Sequence, residues 1–268
     1  MEPFACLPLN NSVVDHSLFR HGPTCALFIA LLGLMSPFHT LKWWLHESPV
    51  VYPLLQRLRG QEWGTFCTPS TDLCIEGFQS SSNSFVYNVF RLLAPELSIG
   101  HHTHSVANLK RARQYNIPTL VLYRDPSGAI PSLAARFKPS LENSIVRYVR
   151  FYRYVLQHTD AFILASFEET TRDIAATIQR VEATSRLEFA AYDADAVADE
   201  AVAYIQDWTE RRGDEERISL PKEERNAQKE VLRERLRGLP QYNEARATYD
   251  CLEAAYQATC MTQDERRR

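Results

Sequence analysis

The sequence is poor in several features that define large protein classes. Glycine occurs only nine times in 268 residues while 45% of the residues are hydrophobic, a composition that is typical of a globular chain and excludes a disordered one. Neither sign of charge is in excess, because 30 Lys and Arg oppose 33 Asp and Glu and leave a formal charge of −3. Without an electric field over the whole protein, nucleic acid is not an expected partner, and any anion binding must be local.

Cysteine pairs are also missing. The cysteines show neither C-x-x-C pairs nor the spacing of a zinc site, so we predict no disulfide framework. This usage favours a reducing compartment, and we expect a cytoplasmic protein. The six residues are Cys6, Cys25, Cys67, Cys74, Cys251 and Cys260.

The N-terminal apolar stretch is too short to span a bilayer. CALFIALLGLM, residues 25–35, has about half of a spanning length. No basic n-region precedes it and no A-x-A-like site follows, so we expect no secretory signal. The prediction is a helix docked on the core. The alternative is contact of residues 24–45 with a membrane surface through Trp43 and Trp44.

Short apolar runs alternate with longer helical patterns from Asp72 onward. Continuous apolar strands between helices indicate a parallel sheet covered on both faces, so we predict a three-layer α/β/α fold. The predicted strands are 72–78, 96–103, 118–125 and 161–168. The predicted helices are 84–94, 105–115, 127–137, 142–159, 226–238 and 241–259. We divide the chain into a proline-punctuated N-terminal segment (1–70), an α/β domain (71–240) and a C-terminal helix with a frayed basic tail (241–268).

The first polar cluster follows the first predicted strand, in CIEGFQSSSNSF. Gly77, Ser82, Asn83 and Ser84 stand at the four fixed positions of the phosphate-binding loop G-x-x-x-x-G-K-[ST], so the spacing is present without the second glycine and the lysine. A strand, a turn and a helix N-terminus form an anion cradle, because free N–H groups and the helix dipole point at the ligand.

Two further clusters follow the next two strands. HHTHS occupies residues 101–105, and YRDPSGAIPSLAARF occupies residues 123–137. The guanidinium of Arg124 presents a planar fork that suits phosphate, and the Ser132 hydroxyl can add a further hydrogen bond. Ligands of open parallel sheets bind outside the carboxyl ends of the strands, which is where all three clusters fall.

Together the three clusters resemble the sulfotransferase family, over roughly residues 70–235. The most specific part is R-D-P-x-x-A-x-x-S, which begins at Arg124 and ends at Ser132. The resemblance implies a fold like that of P-loop nucleoside triphosphate hydrolases. It also implies transfer of a sulfuryl group from 3′-phosphoadenosine 5′-phosphosulfate (PAPS) to an acceptor hydroxyl, without a metal.

The resemblance also implies roles for individual residues. Arg124 and Ser132 match the site of the donor's 3′-phosphate, and His104 matches the base that removes the acceptor proton, with His102 beside it in the catalytic turn. The basic segment SLPKEERNAQK adds Arg225 and Lys229, one helical turn apart. The implied loop for the 5′-phosphosulfate consists of Gly77, Ser80, Ser81, Ser82, Asn83 and Ser84.

Two departures from the family pattern concern charge. Where the family has Pro, then Lys or Arg, then Ser and Gly, this chain has Gln79, Ser80, Ser81 and Ser82. His102 replaces the lysine of the family's K-T-H segment, and His is mostly neutral near pH 7. Loss of one preorganised cation corresponds to roughly two to three orders of magnitude in rate. Donor binding is therefore better supported by the sequence than turnover, with Arg136 and Lys229 as candidate substitutes for the missing charge.

Several alternatives stay open at the level of the sequence. One is a catalytically impaired nucleotide-binding or interaction protein that keeps the fold. The segment 77–84 is also compatible with an ordinary β–α turn capped by Ser82 or Asn83. A metal site in H-H-x-H is disfavoured because adjacent strand residues point to opposite faces. A nucleoside-phosphate kinase is disfavoured because the P-loop lysine and a Mg²⁺-binding aspartate are missing. For the sulfotransferase interpretation, the sequence leaves the acceptor open among carbohydrate, lipid and small-molecule hydroxyls.

Overall fold

The structure, a computed structural model, describes residues 37–58, 64–213, 220 and 223–267. The apolar stretch 25–35, for which a docked helix is predicted, lies outside the described residues, as does most of the N-terminal segment.

A parallel sheet forms the centre of the described chain. Its strands are, in chain order, β1 (Leu73–Gly77), β2 (Ile99–His101), β3 (Thr119–Tyr123) and β4 (Ile163–Ser166). The strand order is β2-β1-β3-β4, and every neighbouring pair is parallel. All residues of β1, β3 and β4 are buried, as expected of parallel strands covered on both faces. The predicted α/β fold with a central parallel sheet is confirmed.

Helices flank this sheet on both faces. They are α1 (Pro37–Glu47), α2 (Val51–Leu58), α3 (Asn83–Leu93), α4 (Val106–Gln114), α5 (Pro126–Phe137), α6 (Leu141–Leu156), α7 (Phe167–Arg172), α8 (Ile174–Thr184), α9 (Ala194–Arg211), α10 (Glu224–Arg237) and α11 (Tyr242–Arg267). A short 3₁₀ turn, Thr159–Ala161, precedes β4. The helices predicted between the strands and after residue 225 are confirmed. No prediction covers helices α7, α8 and α9, and the first two residues of α7 fall in the predicted strand 161–168.

Alternate side chains along the strands pack against two different layers of helices. Leu120 and Leu122 of β3 enter a core shared with α3, α8 and α9. Val121 and Tyr123 point the other way, into a core shared with α4, α5, α6, α10 and α11. Because successive strand residues face opposite sides, one short strand contributes to both cores, and three layers result.

The α1–α2 hairpin docks on the core through charged and aromatic side chains. Arg111 donates from Nη1 to the carbonyl oxygen of Pro49 at 3.0 Å, and Arg150 pairs with Glu47 at 2.6 Å. The Trp43 ring also contacts Arg150, whose guanidinium carbon lies 5.1 Å from the ring centroid, while Trp44 is 60% exposed. The tryptophan pair is therefore divided between the core and the surface. Within the described ranges, no helix combines the length and the hydropathy needed to cross a bilayer.

Candidate active site

The carboxyl ends of the strands bring the three polar clusters together. The β1–α3 loop, residues 78–82, follows Gly77, which pairs with Leu122 near the end of β3. Arg124, just after β3, donates from Nη1 to the carbonyl oxygen of Ser80 at 3.0 Å. On the other side, the Ser84 hydroxyl lies 3.0 Å from Nε2 of His102 in the turn after β2. The first polar cluster, which spans the loop and the start of α3, thus contacts both other clusters directly.

Gly77 is required by the close approach of β1 and β3. A Cβ atom at this position would lie 2.4 Å from the carbonyl oxygen of Leu122 and 3.0 Å from Oδ1 of Asn83. Both neighbours are fixed, since one is backbone and the other belongs to a buried side chain. No side chain larger than hydrogen fits between the two strands.

We predict that Gly77→Ala lowers the free energy of unfolding by about 1–3 kcal/mol, because the new methyl group forces the strands apart. Urea denaturation followed by circular dichroism measures the effect. Gly238→Ala is the matched control, because its nearest neighbour to an added Cβ is 3.5 Å away. Equal unfolding midpoints for the two variants would contradict the proposed strand contact.

The loop itself has an unusual backbone. Ser80 and Ser82 adopt left-handed φ angles of 69° and 64°, a conformation that costs L-residues roughly 1–2 kcal/mol each. Hydrogen bonds hold it in place: Asn83 donates from Nδ2 to the Phe78 carbonyl at 2.9 Å, and the Phe78 N–H donates to the Tyr152 hydroxyl at 3.2 Å. Such strain persists only where the surroundings impose it, and it concentrates at functional sites.

The N-terminus of α3 is arranged differently from an ordinary capped turn. Ser82 occupies the N-cap position, but its hydroxyl donates to the Ser81 carbonyl at 2.6 Å and lies 2.8 Å from the Thr170 hydroxyl. It therefore makes no capping bond to the helix it precedes. The Ser80 hydroxyl and Oε1 of Gln79 are buried without a hydrogen-bond partner among the described residues. First-turn N–H groups and a buried hydroxyl are the donors that an oxyanion would satisfy.

Arg124 is held rigidly beside this loop. Its guanidinium carbon lies 3.7 Å from the centroid of the Phe167 ring, so the cation is stacked on the aromatic face. Gly128, one turn into α5, gives it room, because a Cβ there would lie 2.9 Å from Nε of Arg124. Burial lowers the pKa of Arg124, while the negative charge of Glu168 opposes that shift. A guanidinium nonetheless stays charged in proteins, so this is a fixed positive charge at the sheet edge.

Ser132 lies on the same face of α5 as Gly128, which contacts Arg124, and Arg136. Gly128, Ser132 and Arg136 are spaced four residues apart, so they share one face of the helix. Helix α10 packs along α5, and Arg233 of α10 donates from Nε to the Ser127 carbonyl at 3.1 Å. Ser132 is half-buried in this arrangement.

The residues predicted from the basic segment also belong to this region. Burial lowers the pKa of Lys229, and four neighbouring guanidinium groups lower it further. They belong to Arg225, Arg124, Arg233 and Arg136. The structure thus brings Arg124, Arg225 and Lys229 into one cationic cluster, and it adds Arg233, which the sequence analysis missed. Five positive charges that repel one another favour an anionic ligand.

The histidine turn depends on a buried carboxylate. Glu76, the next-to-last residue of β1, is fully buried and accepts hydrogen bonds from the N–H groups of Thr103 and His104, both at 2.9 Å. It also accepts from the Thr103 hydroxyl at 2.6 Å and from Nδ2 of Asn108 at 2.9 Å. Burial raises the pKa of Glu76, and these hydrogen bonds oppose the rise. An acidic residue inside an apolar strand was the signal in the sequence that could have identified it.

His104 is oriented so that one ring nitrogen is left as an acceptor. Its Nδ1 lies 2.8 Å from the carbonyl oxygen of Gly77, which only accepts hydrogen bonds, so Nδ1 carries the proton. Burial lowers the pKa of His104 to about 3, with the neighbouring His102 as the next cause. The ring is therefore neutral at pH 7, and Nε2 presents a lone pair, as a general base requires.

The expectation that His101 and His102 point to opposite faces is wrong. Their Nδ1 atoms lie 2.7 Å apart, and the His101 ring stacks on Tyr87 with centroids 3.8 Å apart. The reason is that β2 ends at His101 and His102 adopts a left-handed φ of 57°, which breaks the alternation of the strand. Within residues 37–58, 64–213, 220 and 223–267, no group of three or more His, Cys, Asp or Glu side chains is arranged to hold a metal ion.

We predict that acid destabilises the protein through these histidines. Burial lowers the pKa of His101, His102 and His104 to about 3, 4 and 3, whereas an unfolded histidine titrates near 6.5. Between pH 6.5 and 4 the unfolded state binds more protons, so the free energy of unfolding falls by up to about 1.4 kcal/mol per pH unit for each histidine. Urea denaturation at pH 7, 6 and 5 measures the slope, which His101→Gln should reduce. A free energy of unfolding that is constant over this range would contradict the prediction.

Acidic residues at the same edge already have partners. Asp125 accepts the Ser127 N–H at 2.7 Å and pairs with Arg246, so it caps α5 and orients the turn. Glu169 forms a buried ion pair with Arg180 at 2.6 Å. Neither carboxylate is placed as an open metal ligand, whereas Glu168 lies near enough to act on the charge of Arg124.

Comparisons with known proteins give a weak likeness. No family model matches the chain, and no curated protein matches it. Among solved structures, the mouse sulfotransferase SULT7A1 complexed with PAP is similar at 10% sequence identity and a TM-score of 0.36. The alignment covers 51% of this chain and 64% of that one, so the chain spans less than two thirds of that protein's length. A likeness at this level does not assign the chain to a family.

Proposed function

We propose that this protein is a sulfotransferase-like enzyme with a fold of the P-loop nucleotide-hydrolase type. It binds PAPS as the donor and transfers the sulfuryl group to a hydroxyl of an acceptor, which produces 3′,5′-bisphosphoadenosine (PAP). The acceptor classes expected from the sequence are carbohydrates, lipids and small molecules.

The position of Arg124 is the observation that carries this proposal. The residue begins the R-D-P-x-x-A-x-x-S segment and at the same time donates to the carbonyl oxygen of Ser80 in the β1–α3 loop. A phosphate bound by Arg124 would therefore lie next to the loop rather than at a separate place. Two anionic groups of one nucleotide, the 3′-phosphate and the 5′-phosphosulfate, match two adjoining anion sites.

Donor binding would use the two sites together. Arg124 and Ser132 would hold the 3′-phosphate, with the positive charges of Arg225 and Lys229 nearby. The 5′-phosphosulfate would accept hydrogen bonds from the loop and from the first turn of α3. The residues proposed for this second site are Gly77, Ser80, Ser81, Ser82, Asn83 and Ser84.

Transfer itself needs positioning and charge stabilisation more than covalent help. The acceptor oxygen attacks sulfur, and the bond between sulfur and the bridging oxygen of the 5′-phosphate breaks. Nε2 of His104 takes the acceptor proton, and PAP leaves with the electron pair. His102, which links Ser84 to His101, positions the loop against the histidine turn.

Arg136 is the proposed substitute for the cation that the loop lacks. Its positive charge acts on His102, on His104 and on Lys229, so this member of the cationic cluster is also near the base. Loss of one preorganised charge at the leaving group costs about 10²–10³ in kcat. We therefore predict that Arg136→Gln lowers kcat by this factor and leaves PAP affinity within a few-fold. Equal losses in kcat and PAP affinity would instead identify Arg136 as a donor-binding residue.

A catalytically impaired nucleotide-binding protein is the second candidate, favoured by Ser80 at the position of the family's loop cation. Incubation with ³⁵S-labelled PAPS and a panel of phenols, sugars and lipid alcohols tests the two. Labelled product that disappears in His104→Asn supports the enzyme. PAP binding without any labelled product favours the impaired protein.

A further inference from the structure

Arg147 is the cation of α6 that lacks a counter-ion among the described residues. Arg150, one turn further along, binds Glu47, and Arg153 pairs with Glu244. Arg147 is half-buried, yet within residues 37–58, 64–213, 220 and 223–267 it makes neither a hydrogen bond nor an ion pair. A half-buried guanidinium with accessible nitrogens and no counter-ion is a binding group for an anionic ligand.

The surroundings of Arg147 are His104 and the α1–α2 hairpin. Burial lowers the pKa of Arg147, and the hydroxyl of Tyr52 in α2 is the group that opposes this shift. The positive charge of Arg147 also acts on His104 and lowers the pKa of that histidine further. Arg150, three residues along the same face of α6, pairs with Glu47 of α1, so Arg147 lies on the side of α6 that faces the α1–α2 hairpin.

An aromatic wall lies next to this cation. Tyr52 is buried, and its ring contacts Phe66 edge-on with centroids 5.7 Å apart. The segment with Phe66 runs beside the histidine turn, because the Thr65 N–H donates to the His101 carbonyl at 2.8 Å. A Cβ on Gly64 would lie 2.8 Å from the His102 carbonyl, so the two backbones are in direct contact. An apolar wall, an unpaired cation and a base thus adjoin one another.

We propose that the acceptor is an anionic hydroxyl compound whose acid group binds the Arg147 guanidinium. The acid group is a carboxylate or a phosphate ester, since both accept two parallel hydrogen bonds from a guanidinium. Its apolar body packs on the wall of Tyr52 and Phe66, which directs the hydroxyl toward Nε2 of His104. This inference rests on the proposed function, because it names the acceptor class of that same site.

Calorimetry on the PAP-saturated protein tests the inference without requiring turnover. The probes are 4-hydroxybenzoate against methyl 4-hydroxybenzoate, glucuronate against its methyl ester, and 4-hydroxyphenyl phosphate against phenol. In wild type at least one acid is expected to bind about tenfold or more tightly than its neutral counterpart, the worth of one charge-assisted hydrogen bond. Comparison of the carboxylates with the phosphate ester distinguishes the two acid groups.

Variants separate a binding role from a structural one. Arg147→Gln should abolish the preference for the acid, Arg147→Lys should keep part of it, and both should bind PAP like wild type. Arg113→Gln is the matched control, because Arg113 is exposed and bonds Tyr154. The inference is overturned if no acid binds better than its neutral counterpart, or if the preference survives in Arg147→Gln. Absence of PAP binding would overturn the proposed function first, and the acceptor inference with it.

Discussion

Replacement of Arg124 by alanine is expected to weaken PAP binding roughly 100-fold, because hydrogen bonds to a charged group are worth about 1.5–3 kcal/mol. The guanidinium is already in place in the free protein, stacked on Phe167 and bonded to the Ser80 carbonyl. Little conformational entropy is lost when a preorganised group binds its ligand, so most of its interaction contributes to affinity. Titration calorimetry with PAP measures the change.

A lysine variant separates the contribution of the bidentate guanidinium geometry of Arg124 from that of its positive charge. Arg124→Lys keeps the charge and loses the bidentate geometry, so an intermediate loss of roughly tenfold is expected. Arg113→Ala removes an exposed arginine elsewhere and should leave the affinity for PAP unchanged. Circular dichroism melting of each variant identifies any loss of fold. PAP affinity that is equal in wild type and in folded Arg124→Ala would exclude Arg124 from the donor site.

Replacement of His104 by asparagine is expected to lower kcat by about 10²–10⁴, the usual contribution of a general base. Asparagine suits this position for two reasons. It tolerates the left-handed φ of 49°, and its amide can donate to the Gly77 carbonyl as Nδ1 of the histidine does. The variant thus loses the lone pair on Nε2 and keeps the turn. Single-turnover transfer from labelled PAPS measures the rate.

The accompanying measurements decide what a slow variant means. PAP affinity should be the same in His104→Asn as in wild type, because the residue acts on the acceptor proton. His102→Asn, which also keeps a left-handed residue, should reduce the rate less, since His102 positions Ser84 and has no acceptor proton to take. A rate in His104→Asn equal to that of wild type would exclude this histidine as the base.

The central elements could be predicted because burial leaves a simple pattern. Strands covered on both faces are continuous apolar runs, and TLVLY and FILAS therefore stand out between helical segments. The location of the site followed from this, because parallel strands carry their polar clusters to one edge. The direct bond between Arg124 and Ser80 has no counterpart in sequence spacing, and folding alone creates it.

Other features depend on backbone conformations and long-range contacts that sequence patterns do not carry. The contact of His101 with His102 depends on a left-handed residue that is not glycine. The hydrogen bonds that Glu76 accepts link β1 to a turn 27 residues later. Only the folded chain brings these two segments together. Helix α9 lacked a strong signal because only Ala201, Ile205 and Thr209 of its 18 residues are buried.

Calorimetry of the wild-type protein with PAP and with 5′-AMP is the direct test of a donor site at Arg124 and Ser132. The two ligands share the base, the ribose and the 5′-phosphate, and they differ in the 3′-phosphate assigned to Arg124 and Ser132. We predict that PAP binds at least about 100-fold more tightly than 5′-AMP, because hydrogen bonds to a charged group are worth about 1.5–3 kcal/mol each. Equal affinity for the two ligands, or no binding of PAP to the folded protein, would contradict it.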